Sequence, residues 1–322
     1  MYIHALMVVQ LRGVKMEEFY IVLNQVIVLF LILLVGVVAG KSGILNTAGT
    51  KKLSEVLLYI SAPMMIINSF FIEFSSERLI NILWVIGTSV LMFFIAILLS
   101  SLIFKGFSEK INPVLRFSAI FSNCGYMGLP LIKSLFGDEG VFYGSFYVVI
   151  LNIFLWSYGY LMFGSAGAKQ NVLKKVLTTP AVVALYVGII IYLSGIGMAV
   201  PNAIKSAVSA VGDMTMPLSM LITGGIISTA KFSEVIADWR AYFAASIRLI
   251  FMPLLALGII LLAGVPKLPG ICVIMSIAMP AATNTSIFSE MFDKDSVLAS
   301  KCVAISTLLS IITIPLIIYI SV

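Results

Sequence analysis

Charge is scarce in this chain. Only 11% of its 322 residues are Asp, Glu, Lys or Arg, under half the roughly 25% usual in soluble domains. With 61% hydrophobic residues and a mean hydropathy of +1.14, a soluble fold would need an outsized core and almost no polar surface. That excludes a soluble domain and leaves a polytopic membrane protein. Histidine is nearly missing: His4 stands alone, so HExxH-type metalloprotease chemistry is excluded. Cysteine is limited to Cys124, Cys272 and Cys302, all in apolar stretches without CxxC spacing. Disulfides and a zinc site are not expected, and nothing asks for a metal or cofactor. No GxSxG or Asp-rich pyrophosphate motif is present, so an enzyme is not expected either. The net charge of +6 is spread between apolar runs. No basic, aromatic-rich face forms, and nucleic acid is not an expected partner.

What the chain has is long apolar runs. At ~20 apolar residues per bilayer crossing, ten transmembrane helices are expected. The first five are Phe19–Gly40, Leu53–Phe71, Leu79–Phe104, Pro113–Phe136 and Val141–Phe163. A basic link covering residues 164–179 follows. The last five are Pro180–Ile196, Ala203–Thr229, Trp239–Ala263, Leu268–Phe292 and Val297–Ile320. Residues 1–18 read as a loose or interfacial extension. Its Arg12 and Lys15 follow an apolar run, the reverse of signal-peptide order, and whether residues 1–15 belong to the native chain stays open. Lys and Arg divide 13 to 6 between the two sides, with Arg248 inside a segment. The richer side, including the link, is assigned to the cytoplasm. Both termini then face outward from a cell membrane.

The halves 19–163 and 180–322 resemble each other. Val35–Ile44 (VGVVAGKSGI) aligns with Val187–Ile196 (VGIIIYLSGI). Pro63 aligns with Pro217, and Leu135–Val141 (LFGDEGV) with Met291–Val297 (MFDKDSV). Five crossings per half is an odd number, so the halves insert in opposite orientation. The fold expected is all-α, with two inverted five-helix repeats. Gly36 and Gly40 form a GxxxG pair suited to close helix packing.

Two segments are interrupted at matching positions, by Phe121–Ile132 (FSNCGYMGLPLI) and Ile277–Phe288 (IAMPAATNTSIF). Pro130 and Pro280 break helical hydrogen bonding. Inside lipid, the freed backbone groups need protein or a water-filled cavity. Paired breaks of this kind mark a transporter's central site. The N–H groups of a half-helix start favour an anion. The amides of Asn123 and Asn284 supply donors, and Ser122, Thr283, Thr285 and Ser286 add smaller polar groups. Gly125 and Gly128 allow close backbone approach. The competing reading makes these polar residues glue between helices. Asp213 and Arg248 are the leading cases of ionisable residues inside segments. Asp213 either carries a coupling proton or pairs near an interface. Arg248 attracts the anion, neutralises a buried acid or snorkels to an interface.

The stretches Ser122–Leu131, Phe136–Gly140 and Met279–Phe288, with Val35–Leu45 and Lys51–Ile66, resemble the auxin efflux carrier family of membrane transporters, from about Met16 to the end of the chain. The resemblance implies that helices four and nine cross at their prolines, as in bile-acid-transporter (NhaA-like) folds. It implies a scaffold of helices 1, 2, 6 and 7 and a transport domain of helices 3–5 and 8–10, working as an elevator. It also implies that Asn123 and Asn284 contact a substrate carboxylate: auxin in plant members, malate or malonate in bacterial ones. The short link 164–179 matches the bacterial form rather than the long plant loop. A homodimer is compatible with it. The expected function is secondary transport of a small mono- or dicarboxylate, proton-coupled or potential-driven. Sodium-coupled symport stays open, although neither break contains a carboxylate. A cation/proton antiporter, which would need acids at the crossing, and an anion receptor that does not translocate are the other readings.

Overall fold

The computed structural model describes the backbone of residues 2–164, 172–228 and 238–321, and the side chains from residue 20 onward except 172, 173 and 175. Arg12, Lys15, Lys169, Lys175 and Lys231 of the charge count lie outside the described side chains, as does most of the link. Among the described residues the chain is all helical, with one isolated β-bridge and no strand.

Among the described residues six helical runs are long and apolar enough to cross a membrane: Tyr20–Lys41, Ser76–Ile103, Cys124–Phe163, Asn202–Ser228, Trp239–Ala263 and Ser296–Ser321. Pro180–Ser194 and Lys267–Ala278 are shorter apolar helices. The chain is thus a multi-pass membrane protein, with six long helices where the sequence suggests ten segments. The others are short or interrupted. The segment expected at Leu53–Phe71 is built in pieces: Thr47–Val56, a π-helical turn Leu57–Ser61, then Ala62–Asn68. Residues 2–18, expected as a loose or interfacial extension, belong to one helix that runs from Tyr2 to Lys41.

The run Cys124–Phe163 is not one straight rod. Gly137 has φ 61° and ψ −154°, outside helical geometry and in the region glycine tolerates best. A Cβ on Gly144 would lie 2.8 Å from a methyl of Leu129. In a straight helix those residues would be ~22 Å apart. The chain therefore reverses at Gly137, between the expected fourth and fifth segments.

Packing follows the small residues. Tyr2–Lys41 lies along Thr215–Ser228. A Cβ on Gly36 would sit 2.5 Å from the Leu221 carbonyl oxygen, and one on Gly224 2.1 Å from that of Leu33. Only glycine permits this approach, so Gly36 and Gly40 serve helix packing. Ala62–Asn68 packs on Pro180–Ser194 and Asn202–Asp213. A second group joins Ser76–Ile103, Leu129–Phe154, Trp239–Ala263, Lys267–Ala278 and Ser296–Ser321. Outward-facing Leu, Ile and Phe, such as Leu83, Phe94, Ile190 and Leu262, stay exposed, as a lipid-facing belt requires.

Four π-helical turns occur among the described residues: Leu57–Ser61, Cys124–Gly128, Leu155–Gly159 and Ile247–Phe251. Three of them end two residues before a proline, at Pro63, Pro130 and Pro253. Proline lacks an N–H and its ring clashes with the carbonyl four residues back. Widening the preceding turn relieves that clash, and such bulges gather at functional sites.

Candidate functional site

Both interrupted segments are broken where expected. The helix Asn112–Ile120 ends at Phe121, which is extended, and a π turn at Cys124–Gly128 leads into Leu129–Phe154. The helix Lys267–Ala278 ends at Met279, also extended, and helix Asn284–Met291 follows Thr283. The two extended stretches cross and pair. Ser122 and Ala281 form an antiparallel bridge. The Asn123 N–H donates to the Pro280 carbonyl at 2.7 Å, and the Ala282 N–H to the Phe121 carbonyl at 2.9 Å. The Ala281 N–H donates to the hydroxyl of Ser306 on the last helix at 3.1 Å. Backbone groups freed by the breaks thus satisfy one another, as a hydrocarbon environment demands.

The first members of each broken pair end with their carbonyls pointing at one residue. Arg248 is 2% exposed and sits on the π turn Ile247–Phe251. Its Nε donates to the Met279 carbonyl at 3.1 Å. One terminal nitrogen donates to Ile120 at 2.8 Å and Ala119 at 3.3 Å, and the other to Ile277. The last carbonyls of a helix have no partner of their own and carry roughly half a negative charge. One guanidinium therefore caps two helix ends at once. No acid forms an ion pair with it among the described residues. Among the described residues Arg248 has no acid partner, and its guanidinium is held inside the protein by backbone carbonyls.

The second members of each pair begin at a cavity of about 310 Å³. Ser122, Asn123, Gly125, Thr283 and Asn284 all line it. Asn123 is 3% exposed, and its Nδ2 is buried with no hydrogen-bond partner among the described residues. The Asn284 side chain, on the first turn of its helix, likewise makes no hydrogen bond among the described residues. Two unspent amides thus meet the start of two helices.

The other expected site residues stand apart from this cavity. Pro130 lies in the first turn of Leu129–Phe154 and shapes the π turn before it. Pro280 contributes its carbonyl to the crossing. The Thr285 hydroxyl turns inward and donates to the Ala282 carbonyl at 2.6 Å. Ser286 sits 3.4 Å from the Ser300 hydroxyl, on an exposed face. Asp213 is in a different region, its side chain 57% exposed, bound to Lys133 at 2.6 Å. Lys133 also approaches Asp138 at 3.6 Å, which accepts from Asn68 at 3.0 Å. Asp213 is thus ion-paired at an exposed position.

Sequence reasoning missed Tyr59, Tyr126, Asn152 and Trp156 in the cavity wall. Tyr59, Tyr126 and Trp156 belong to three of the four π turns, and Arg248 to the fourth. Asn152 carried a usable signal: a lone amide inside an apolar run marks a functional position by default. Among the described residues no three His, Cys, Asp or Glu gather as a metal set.

Residues 21–318 match the family model described as membrane transport protein. An uncharacterized transporter of Methanothermobacter thermautotrophicus is 25% identical over 298 residues, covering 91% of this chain and 96% of the relative. An uncharacterized transporter of Methanocaldococcus jannaschii is 25% identical over 305 residues, covering 91% and 97%. Crossing broken helices inside a multi-pass membrane fold agree with a match that spans nearly the whole chain, and the protein belongs to the membrane transport protein family, of the auxin efflux carrier type.

Proposed function

We propose that the protein is a secondary carrier of a small organic anion, moving it by an elevator-type alternating-access step. One observation carries this reading: the starts of two half-helices meet at one cavity lined by Asn123 and Asn284, and the buried Asn123 Nδ2 has no hydrogen-bond partner among the described residues. Helix starts and amide N–H groups together suit a carboxylate. In this reading the halves 19–163 and 180–322 are inverted repeats. Helices 1, 2, 6 and 7 form the fixed scaffold, and the crossing moves with the rest. The lining supports that division. Leu57–Tyr59 and Thr178–Ala181 come from the scaffold side, while Ser122–Tyr126, Asn152 and Ala282–Asn284 come from the mobile side. A solute held at such a boundary can be carried by sliding one group past the other.

The cavity reaches Thr178 and Thr179, at the end of the link that the Lys/Arg bias assigns to the cytoplasm. The state described is therefore inward-facing, in a cell membrane with both termini outside. Among its described lining residues the cavity has no Asp, Glu or His. Movement driven by the anion's gradient and the membrane potential suits such a lining better than sodium symport or cation/proton exchange.

A thermal-shift screen of mono- and dicarboxylates on the purified protein tests the reading, with Asn123→Ala and Asn284→Ala alongside. Stabilisation by an acid in the wild type, lost in both variants, is expected, followed by uptake of that labelled acid into proteoliposomes. A shift that persists in both variants sinks the site. Binding without flux makes the protein a receptor.

A further inference from the structure

A cluster of charged and amide side chains joins the two groups of helices, at the end away from the cavity mouth. The cavity reaches Thr178 and Thr179 beside the link, whereas this cluster surrounds the reversal at Gly137, at the other end of the helical run that leads to the link. Asn68 closes helix Ala62–Asn68 and Asp213 closes helix Asn202–Asp213, both on the scaffold side. Lys133 and Asp138 flank the reversal on the mobile side. Two contacts therefore cross the boundary that has to slip: Lys133 to Asp213 at 2.6 Å and Asn68 to Asp138 at 3.0 Å. The Ser209 hydroxyl holds the other oxygen of Asp213 at 3.2 Å.

An aromatic layer crosses the same boundary. Phe70 and Tyr192 belong to the scaffold side, and Phe142 and Phe146 stand one and two turns further along from Asp138 on the mobile side. Ring centroids are 4.8 Å apart for Phe70 and Phe142, 5.1 Å for Phe142 and Tyr192, and 6.0 Å for Phe70 and Phe146. All four side chains are buried. The face of the molecule away from the link is thus shut by packed rings with polar contacts beside them.

The lysine is shared between the two sides. It bonds Asp213 on the scaffold and lies 3.6 Å from Asp138 on its own side. When the mobile group slides, Asp213 stays behind and Asp138 travels. The ammonium then exchanges one carboxylate for the other, and Asp138 exchanges the Asn68 amide for the lysine. Neither charge is left bare, and the cluster has two discrete arrangements, as a switching element needs. Resting on the elevator reading above, we infer that Lys133–Asp213 and Asn68–Asp138 form a latch that holds the carrier open toward the link, and that Lys133 passes to Asp138 on release. Asn123 and Asn284 travel with the mobile group, so the latch sets which face the site meets and not how the site grips a solute.

The test reads the open face directly and needs no solute. Tyr126, in the cavity wall, is replaced by cysteine in the full-length protein; the native Cys124, Cys272 and Cys302 are buried and set the background. The protein is placed in sealed vesicles of known orientation, and a small membrane-impermeant methanethiosulfonate is supplied to one face or the other. The face that reacts faster is the open one. Exposed pairs are individually weak, so Asp213→Asn and Asn68→Ala should each speed reaction from the slow face about threefold. Together they should speed it about tenfold, equal to about 1.4 kcal/mol, with no rise from the fast face. Asp213→Glu keeps the charge and should restore the slow rate. Glu139→Gln cuts the neighbouring 3.0 Å pair with Arg78, which lies wholly within the mobile group, and should change neither rate. A slow-face rate that is unchanged in the double variant, in a reporter that reacts from both faces, overturns the latch and leaves the elevator reading intact. Rates that rise equally from both faces mean general loosening and overturn it as well. A reporter that reacts from one face only in every variant overturns the elevator reading, and this inference with it.

Discussion

The two sides of the crossing carry opposite poles, and the chain treats them differently. On one side the helices Asn112–Ile120 and Lys267–Ala278 end, and their carbonyls converge on Arg248. On the other side Leu129–Phe154 and Asn284–Met291 begin, near a cavity where no fixed anion waits among the described lining residues. At roughly half a charge per helix end, each side gathers about one unit. The negative unit is matched internally by one permanent cation. The positive unit is left for something brought from outside. A fold serving only as a scaffold would have reason to neutralise both.

The largest effect should come from unbalancing the capped pole. Arg248→Met leaves four carbonyls without their donor, and the loss should be on the order of 3–5 kcal/mol, as when a buried charge network loses one partner. Arg248→Lys should fall between, since a point ammonium cannot reach the same spread of acceptors. Thermal unfolding in detergent reads both, and an unchanged midpoint for the methionine variant would remove the capping role. The open pole should respond in the reverse manner. Asn123→Ala discards a buried nitrogen that has no partner among the described residues, so folding stability should move by less than about 1 kcal/mol. Anion affinity should fall about tenfold to a hundredfold, the equivalent of one hydrogen bond to a charged group, roughly 1.5–3 kcal/mol. If the asparagine were glue between helices, stability would drop and affinity would follow only as a consequence.

Two smaller effects mark where the comparison stops. Lys133→Met frees Asp213 and Asp138 at a partly solvated surface, where such pairs contribute about 0–1 kcal/mol. Anion affinity should stay within about twofold, and a larger loss would draw this cluster into the site. At the start of helix Trp239–Ser246, Asp238 accepts from Arg240 at 2.8 and 2.7 Å, with Lys301 at 3.6 Å. The Arg240 hydrogen bonds hold its carboxyl below the usual range. Its folded value is therefore lower than its unfolded one, near 3.9. The stabilisation is present above about pH 4 and fades as pH falls through the folded value. Asp238→Asn should flatten the unfolding midpoint between about pH 3 and 5 relative to wild type; an unchanged slope would argue against the pairing.

The breaks were legible because Pro130 and Pro280, beside Asn and small residues, leave marks no apolar run can hide. Pro63 and Pro130 predict kinks but not that the preceding turn widens, which is how Tyr59 and Tyr126 come to the cavity. Arg248 was legible as an oddity and not as a cap, because its partners are backbone carbonyls, which have no signature in sequence. Asp213 stood inside a predicted segment, yet the run Asn202–Ser228 is interrupted around Asp213–Met214, and the residue emerges at a surface. Asn152 was visible as a lone amide in an apolar run, but where nearly every residue is apolar, periodicity cannot tell which face meets a cavity.

The most direct test of the unequal poles is calorimetric binding of one acid and the uncharged primary amide of the same skeleton, using the acid that stabilises the protein most. The account predicts that the acid binds at least about tenfold more tightly, and that combining Asn123→Ala with Asn284→Ala erases the difference. Equal affinity for acid and amide in the wild type would contradict it.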